Sequence, residues 1–183
     1  MARTELLLSG SGGQGLILAG IILAEAAAVY DDTNAIHNQS YGPEARGGAA
    51  KSEVIISDED IDFPEISNPD ILLAMTQLAA DKYAGSIKPG GTLIIDPTFV
   101  KSVPETKAAK VISVPLTQVA RDEVGRDMVA NIVAVGAISV LTGLVSREAA
   151  EKAVLNRVPK GTEEMNKKAL LAGFAAGEKV LAE

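Results

Sequence analysis

A strand, a glycine-rich turn and a helix follow one another at the start of the chain, and this succession most constrains the fold. Residues 4–10 (TELLLSG) form a short apolar run ending in glycine, which is typical of a buried first strand. Residues 14–30 are apolar on nearly every side, which predicts a largely buried helix. Between them, Gly10, Gly12 and Gly15 fit the pattern G-x-G-x-x-G. We therefore expect the chain to begin as a layered α/β protein.

The later segments extend this pattern. Strands are predicted near residue 36 and over 50–57, 69–75, 88–96 and 109–115, and helices over 76–87, 116–124, 127–142, 147–156 and 162–182, with Thr76, Ser146 and Thr162 as N-caps. Only about ten residues separate the second and third strands, so we expect an antiparallel pair or an irregular excursion there. The prediction is one domain over residues 1–183. It is a three-layer α/β/α, Rossmann-like fold with a mostly parallel, mixed sheet of about six strands. The C-terminal helices cover one face or extend towards a partner.

Composition excludes several kinds of protein. The 183 residues include no cysteine, which removes disulfides, iron–sulfur ligation and zinc–thiolate sites. The net charge of −7 argues against a nucleic-acid partner, which would require a basic surface. The longest apolar run, residues 16–24, is far shorter than the roughly 20 residues needed to cross a bilayer. No secretory pattern precedes the first strand, so we expect a cytoplasmic protein without a membrane partner.

The glycine turn fits two interpretations. Glycine lets an anion approach the backbone, and the following helix offers free N–H groups to a phosphate or carboxylate; alternatively, the glycines only permit a tight turn. No Lys-Ser/Thr pair follows Gly15, which excludes a Walker A loop. A dinucleotide site also needs an acidic residue at the end of the second strand. That strand ends near residues 37–39, whereas Asp31 and Asp32 precede it in a turn, so a conventional NAD site is disfavoured.

A second polar loop, SYGPEARGG at residues 40–48, has the composition of a binding segment. The guanidinium of Arg46 offers planar, bidentate recognition of a carboxylate or phosphate. Glu44 can hold Arg46 or a neighbouring subunit, and Tyr41 can stack or donate a hydrogen bond. In the alternative interpretation the loop is a surface connection, and its Glu44–Arg46 pair contributes less than about 1 kcal/mol. We expect both loops at one edge of the sheet.

Three segments together resemble a known family. GSGGQGLILAG at 10–20, SYGPEARGG at 40–48 and MVANIVAVGA at 128–137 are similar to the gamma subunits of the 2-oxoacid:ferredoxin oxidoreductases, over nearly the whole chain. The 2-oxoglutarate type is the nearest likeness, and the pyruvate and branched-chain (ketoisovalerate) types share the same motifs. The resemblance implies a complex that oxidatively decarboxylates a 2-oxoacid, reduces ferredoxin and transfers the acyl group to coenzyme A. The chain would not be active alone.

The resemblance also implies where the cofactors lie. Thiamine diphosphate, Mg²⁺ and iron–sulfur clusters would be held by partner subunits (alpha, beta and a ferredoxin-like delta), with coenzyme A as co-substrate. The absence of cysteine and of an evident Mg-diphosphate motif agrees with this division. Joined to the interpretation of the residues, it predicts a binding site without a catalytic acid, base or nucleophile. The site residues would be Gly10, Ser11, Gly12, Gly13, Gln14, Gly15, Ser40, Tyr41, Gly42, Glu44, Arg46, Gly47 and Gly48.

Specific roles follow for a few of these residues. The glycines would present backbone N–H groups, Ser11 and Gln14 would be side-chain donors, and Arg46 would meet a carboxylate or a coenzyme A phosphate. Asn131 lies in an apolar helix, where a buried amide needs a partner, so we expect it to tie that helix to one glycine loop. His37 is expected to be an ordinary hydrogen-bonded residue. Two competing hypotheses are a stand-alone NAD(P)- or flavin-dependent dinucleotide-binding protein and a purely structural assembly subunit.

Overall fold

The computed structural model describes residues 2–40 and 49–183, which form one six-stranded sheet with helices on both faces. The strands are β1 (Thr4–Ser11), β2 (Asn34–Ser40), β3 (Ala49–Ser57), β4 (Ile71–Ala74), β5 (Thr92–Ile95) and β6 (Lys110–Ser113). The helices are α1 (Leu16–Glu25), α2 (Gln77–Tyr83), α3 (Leu116–Val119), α4 (Ala130–Thr142), α5 (Arg147–Arg157) and α6 (Glu163–Leu181), with short 3₁₀ or π-helical turns at Ala26–Tyr30, Ala84–Ser86, Ala120–Val124 and Asp127–Val129. Within the described residues, no helix is long and apolar enough to cross a membrane.

The sheet is mixed, as predicted. Its strand order is β2-β3-β1-β4-β5-β6, and β3 runs antiparallel to both of its neighbours while the remaining pairs are parallel. The connection between β2 and β3 is too short for a parallel crossover, and the two strands form the expected antiparallel pair. Consequently, the ends of β1, β2, β4, β5 and β6 and the start of β3 share one border of the sheet, here called the carboxyl edge.

Two cores lie on opposite faces of the sheet. The larger core joins residues such as Leu8, Val54 and Ile94 to α1, α3, α4, α5 and α6, and the smaller one joins Leu72 and Leu93 to α2. The C-terminal helices thus cover the same face as α1, which is the first of the two predicted alternatives. Helix α4 packs against α1, α3, α5 and α6, which explains why its sequence is apolar on every side.

Two of the three predicted helix caps are confirmed. The Thr76 hydroxyl accepts a hydrogen bond from the Ala79 N–H at 3.2 Å, and the Ser146 hydroxyl accepts one from the Ala149 N–H at 3.1 Å. Thr162 occupies the predicted N-cap position of α6 but makes no side-chain cap hydrogen bond. Its hydroxyl donates to the Pro159 carbonyl at 2.6 Å and accepts from the Asn166 amide at 3.1 Å, so it does not reach a first-turn N–H group.

The first helix is shorter than predicted. It begins at Leu16 because Gly15 adopts a left-handed conformation, with φ 72°. It leaves the α-helical pattern after Glu25, where the chain forms a π-helical turn. Beyond that turn, the backbone N–H and the hydroxyl of Thr33 both donate to the Ala27 carbonyl, at 3.0 Å and 2.9 Å, and thereby satisfy an acceptor that a continued helix would have used.

Helix α1 approaches the sheet closely at Gly20. A Cβ atom there would overlap the Ser52 hydroxyl and lie 2.9 Å from the His37 ring. Beneath the helix, the Nε2 atom of His37 and the Ser52 hydroxyl form a hydrogen bond of 2.8 Å. The expectation that His37 is an ordinary hydrogen-bonded residue is therefore confirmed. Burial also lowers the pKa of His37 below its usual value, because the charged ring would lose hydration.

This lowered pKa predicts a loss of stability under mildly acidic conditions. The unfolded chain binds a proton at His37 more readily than the folded chain. The contribution of neutral His37 to the free energy of unfolding is therefore complete above about pH 6.5 and declines as the pH falls below that value. We expect urea unfolding to give a lower free energy of unfolding at pH 5.5 than at pH 7.5. His37→Gln should reduce this difference. An unchanged difference in the variant would contradict the assignment to His37.

Candidate binding site at the carboxyl edge

The candidate site lies where two adjacent parallel strands send their helices to opposite faces. The chain leaves β1 for α1 on the face of the larger core, and leaves β4 for α2 on the other face. Open α/β sheets bind ligands in the crevice that such a reversal leaves at the carboxyl ends of the strands. The glycine turn, residues 10–15, borders this crevice.

The Gln14 side chain spans the crevice. Its Oε1 atom accepts a hydrogen bond from the Ser11 N–H at 2.8 Å, and its Nε2 atom donates to the Met75 carbonyl, just after β4, at 3.3 Å. The same oxygen occupies the space that a Cβ atom at Gly10 would fill. In the structure the amide of Gln14 joins the two loops that border the crevice, and its oxygen requires a glycine at position 10; its predicted contact with a ligand stays a prediction.

The other end of the turn is tied to α4. The Asn131 amide donates to the Gly15 carbonyl at 3.1 Å, and its oxygen accepts from the Ile132 N–H at 2.9 Å. The predicted connection between this helix and a glycine loop is therefore confirmed. Gly15 is required twice, because its φ is 72° and because a Cβ atom there would lie 2.5 Å from the Asn131 nitrogen.

The middle of the turn faces outwards. Gly12 and Gly13 are exposed, and a Cβ atom at either would have no atom of the described residues within 4 Å. Gly13 has φ 90°, whereas Gly12 lies outside the left-handed region. Within residues 2–40 and 49–183, no hydrogen bond uses the backbone N–H group of Gly12 or Gly13. Two unpaired donors in open space are suited to an anion that approaches from outside the chain.

The second predicted loop starts and ends at the same edge. Ser40, the exposed last residue of β2, pairs with Lys51, and Ala49, the first residue of β3, pairs with Ser11 of the glycine turn. Both predicted segments are therefore anchored at the carboxyl edge. The remaining predicted site residues of this loop lie outside the described residues; they are Tyr41, Gly42, Glu44, Arg46, Gly47 and Gly48.

A pocket of about 170 Å³ opens beside the glycine turn. It is lined by Gly13, Gln14, Phe99, Thr117, Asp127, Met128 and Ala130. Phe99 and Met128 expose 43% and 68% of their surface at its mouth, so its rim is apolar. Sequence reasoning missed these two residues, although Phe99 follows β5 and parallel strands bring their ends to one edge. Pockets that enclose a drug-sized ligand measure roughly 300–1,000 Å³, so this one suits only part of a cofactor.

A buried carboxylate supports the far wall of the pocket. Asp96, at the end of β5, has no exposed surface. One of its oxygens accepts from the Thr98 N–H at 2.9 Å, and the other accepts from the N–H and the hydroxyl of Thr117 at 2.9 Å and 2.6 Å. Asp96 thereby joins the turn that carries Phe99 to the start of α3, and its role is structural.

An exposed ion pair borders the same pocket. Two guanidinium N–H groups of Arg121 donate to the Asp127 carboxylate, at 2.9 Å and 2.7 Å. These hydrogen bonds lower the pKa of Asp127. On this side of the pocket, the charge of Asp127 is therefore balanced by Arg121. An anion bound at the glycine turn would not be repelled by an isolated carboxylate.

The topology also weakens the dinucleotide hypothesis. The Asp31 carboxylate accepts hydrogen bonds from the N–H and hydroxyl of Ser146, at 2.7 Å and 2.6 Å, and thus joins a turn to α5. Strand β3 lies between β2 and β1, so the end of β2 is two strand spacings from the glycine turn. Two spacings amount to about 10 Å. An acidic residue at the end of β2 would therefore be displaced from the ribose position of a conventional NAD site.

The residues present do not fit the metal cofactors that the resemblance implies. Iron–sulfur clusters need cysteine thiolates, and the sequence contains none. In the part of the chain that the structure describes, no three His, Cys, Asp or Glu residues are grouped to hold a metal ion such as the Mg²⁺ of thiamine diphosphate.

The sequence of the chain matches a family model over the elements that build this site. The model describes the pyruvate ferredoxin/flavodoxin oxidoreductases, and it matches residues 5–176, from β1 to α6. The chain belongs to this family. The match includes the glycine turn, the second polar loop and Asn131 of α4.

Within the family, similarity differs between types. The chain is 51% identical to the 2-oxoglutarate synthase subunit KorC of Methanocaldococcus jannaschii, covering 99% of this chain and 95% of that protein. It is 32% identical to the pyruvate synthase subunit PorC of the same organism, covering 90% and 92%. The 2-oxoglutarate relative is therefore clearly the more similar of the two.

Solved structures have the same fold. The keto/oxoacid ferredoxin oxidoreductase gamma subunit of Geobacter sulfurreducens PCA superimposes with a TM-score of 0.88 at 50% identity, covering 98% of this chain and 99% of that one. The 2-oxoglutarate:ferredoxin oxidoreductase of Magnetococcus marinus, solved with 2-oxoglutarate, coenzyme A and succinyl-CoA bound, superimposes with a TM-score of 0.84. At 22% identity, covering 98% of this chain and 32% of that one, the second likeness shows the fold alone.

Proposed function

We propose that this chain is the gamma subunit of a 2-oxoglutarate:ferredoxin oxidoreductase. The complex would convert 2-oxoglutarate, coenzyme A and oxidised ferredoxin to succinyl-CoA, CO₂, a proton and reduced ferredoxin, which takes up the two electrons released. The choice of 2-oxoglutarate as substrate is supported by the 51% identity to a 2-oxoglutarate synthase subunit, compared with 32% to the pyruvate synthase subunit of the same organism. Pyruvate and a branched-chain 2-oxoacid are the alternative substrates.

The proposed contribution of this chain is to bind coenzyme A at the carboxyl edge. The unpaired N–H groups of Gly12 and Gly13 would receive a phosphate, and Ser11 and Ser40 would add hydroxyl donors from the two neighbouring loops. Arg46 would supply the positive charge that the described part of the turn lacks. The enzyme of Magnetococcus marinus, which shares the fold, binds coenzyme A.

The remaining chemistry is proposed to come from other chains. Those chains would hold thiamine diphosphate with Mg²⁺, which would supply the decarboxylation chemistry, and iron–sulfur clusters, which would supply the electron transfer. The lack of cysteine in the sequence and of a metal-binding group in the described residues supports placing them on alpha, beta and ferredoxin-like delta subunits. The small pocket at the carboxyl edge also supports a site that a second chain completes.

The test is reconstitution with the neighbouring subunits. The tagged chain is co-purified with them, and coenzyme A-dependent reduction of ferredoxin is measured with 2-oxoglutarate, pyruvate and 2-oxoisovalerate. We expect an iron-containing complex whose kcat/KM is highest for 2-oxoglutarate. A preference for another 2-oxoacid would reassign the substrate. A colourless chain that purifies alone and binds a dinucleotide would overturn the proposal.

Arg46 provides a test of the second loop. In the reconstituted complex, Arg46→Ala should raise KM for coenzyme A by about 10- to 100-fold, because a charge-assisted hydrogen bond contributes about 1.5–3 kcal/mol. Assembly should be unchanged, since the proposal gives Arg46 a contact with coenzyme A and none with another subunit. Arg46→Lys, which keeps the charge but not the bidentate geometry, should recover only part of the loss. Unchanged kinetics for coenzyme A would remove Arg46 from the site.

A further inference from the structure

We infer that Gln14 and Asn131 are positioning residues, which hold the glycine turn in its binding conformation before coenzyme A arrives. The two side-chain amides are called the amide clamp below. Gln14 lines the small pocket beside the turn, but both of its amide hydrogen bonds go to backbone atoms of the two bordering loops, so the inference gives Gln14 a supporting role in addition to its predicted contact with a ligand. The inference rests on the proposed function, because it specifies how the same site binds its co-substrate.

The clamp holds the turn at both ends. At one end, the Gln14 amide fixes the Ser11 N–H and reaches the Met75 carbonyl across the crevice, at 2.8 Å and 3.3 Å. At the other end, the Asn131 amide holds the Gly15 carbonyl at 3.1 Å. Each amide occupies the space of a missing side chain, Gln14 at Gly10 and Asn131 at Gly15. These two glycines therefore serve the clamp, while Gly12 and Gly13 between them face outwards.

The composition of the turn makes such a clamp necessary. Residues 10–15 are GSGGQG, and glycine has more backbone conformations to lose on ordering than any other residue. An unclamped turn would be ordered only when the ligand binds, and the ordering would weaken the affinity for the ligand. A turn ordered beforehand keeps its N–H groups aimed at one position. The clamp should therefore affect the binding of coenzyme A and leave the later chemical steps nearly unchanged.

The chain offers a matched pair of variants for the test. Asn131 and Asn166 are both 6% exposed, both lie in C-terminal helices, and both donate an amide hydrogen bond to a backbone carbonyl. The Asn166 bond ends at Thr162, within its own helix start and not at the glycine turn. Asn131→Leu removes the clamp donor at similar volume, whereas Asn166→Leu removes an equally buried amide elsewhere.

The experiment uses the reconstituted complex and the full-length chain. We expect Asn131→Leu to raise both KM and the calorimetric Kd for coenzyme A by about three- to tenfold, with kcat within about twofold, from the loss of one hydrogen bond. In the isolated chain, amide hydrogen exchange over residues 10–15 should become faster. Asn166→Leu should lower the thermal midpoint without changing either binding constant or this exchange.

Two further variants distinguish the clamp from a general loss of stability. Asn131→Asp keeps an acceptor for the Ile132 N–H but replaces the donor to Gly15 with a carboxylate oxygen that would repel the Gly15 carbonyl, so it should weaken coenzyme A binding at least as much as Asn131→Leu. Gln14→Leu should show the same KM-against-kcat pattern from the other end of the turn. The clamp would be overturned if the wild-type complex turns over 2-oxoglutarate and the complexes that carry the Asn131 variants bind coenzyme A with an unchanged Kd. A wild-type complex that neither assembles nor binds coenzyme A would instead refute the proposed function.

Discussion

Gly173→Ala should lower the free energy of unfolding by about 3 kcal/mol, because an added methyl group would force two packed helices apart. Gly173 lies in α6, where a Cβ atom would overlap the Val133 carbonyl oxygen of α4 and lie 3.0 Å from the Gly136 Cα atom. Gly136 faces the crossing from the other side, and a Cβ atom there would overlap the Leu170 carbonyl. Both obstacles are backbone, so no side chain can rotate away. Helix α4 packs against α1, α3, α5 and α6, and a shift of the pair would disturb the larger core.

Thermal unfolding of the isolated chain checks this prediction. For a chain of this size, 3 kcal/mol corresponds to a fall in the thermal midpoint of about 6–12 °C. Gly85→Ala is the matched control, since Gly85 is an exposed helical glycine with no atom within 4 Å of a Cβ position. That variant should be neutral or slightly stabilising, because alanine has fewer unfolded conformations than glycine. Equal midpoints for the two variants would show that the helices do not approach as closely as described.

The parts of the fold that sequence predicted are those set by local pattern and chain length. The apolar run of β1, the glycine turn and the apolar α1 are contiguous, so their periodicity indicates a strand–turn–helix unit without knowledge of any distant contact. The antiparallel β3 follows from the short connection that precedes it. The cap at Ser146 likewise depends on residues within one helical turn.

What sequence could not predict depends on partners far apart in the chain. The hydrogen bond from Gln14 to Met75 could not be predicted, because nothing near Gln14 in sequence indicates that Met75 lies across the crevice. Thr162 is a different case, because its hydroxyl bonds to Pro159 and Asn166, which lie within four residues, and not to a first-turn N–H group. Asn131 was the exception, since a buried amide in an apolar helix must find a partner, and a glycine loop offers free carbonyls. The energetic cost of an unpaired buried polar group can thus predict a contact between residues distant in sequence, whereas hydrophobic periodicity cannot.

Gly12→Val should lower the coenzyme A-dependent turnover of the reconstituted complex by about 100-fold while leaving the chain folded, since a displacement of about 1 Å at a reacting ligand can cost that much. Among the glycines of the turn, Gly12 is the one that could carry a side chain without disturbing the fold of the described residues. Its φ lies outside the left-handed region, and among residues 2–40 and 49–183 a Cβ atom there would meet nothing within 4 Å. A valine would instead occupy the open space beside the two unpaired N–H groups, where the phosphate is proposed to bind.

The measurement separates a binding site from a mere turn or assembly surface. The thermal midpoint of isolated Gly12→Val should stay close to that of the wild type, because exposed substitutions usually change stability by less than about 0.5 kcal/mol. Co-purification with the partner subunits should also persist. Gly85→Val places the same side chain at an exposed position away from the pocket and should keep full activity. An active Gly12→Val complex would show that the turn has a structural role only, whereas loss of assembly would identify the carboxyl edge as a subunit contact and not a coenzyme A site.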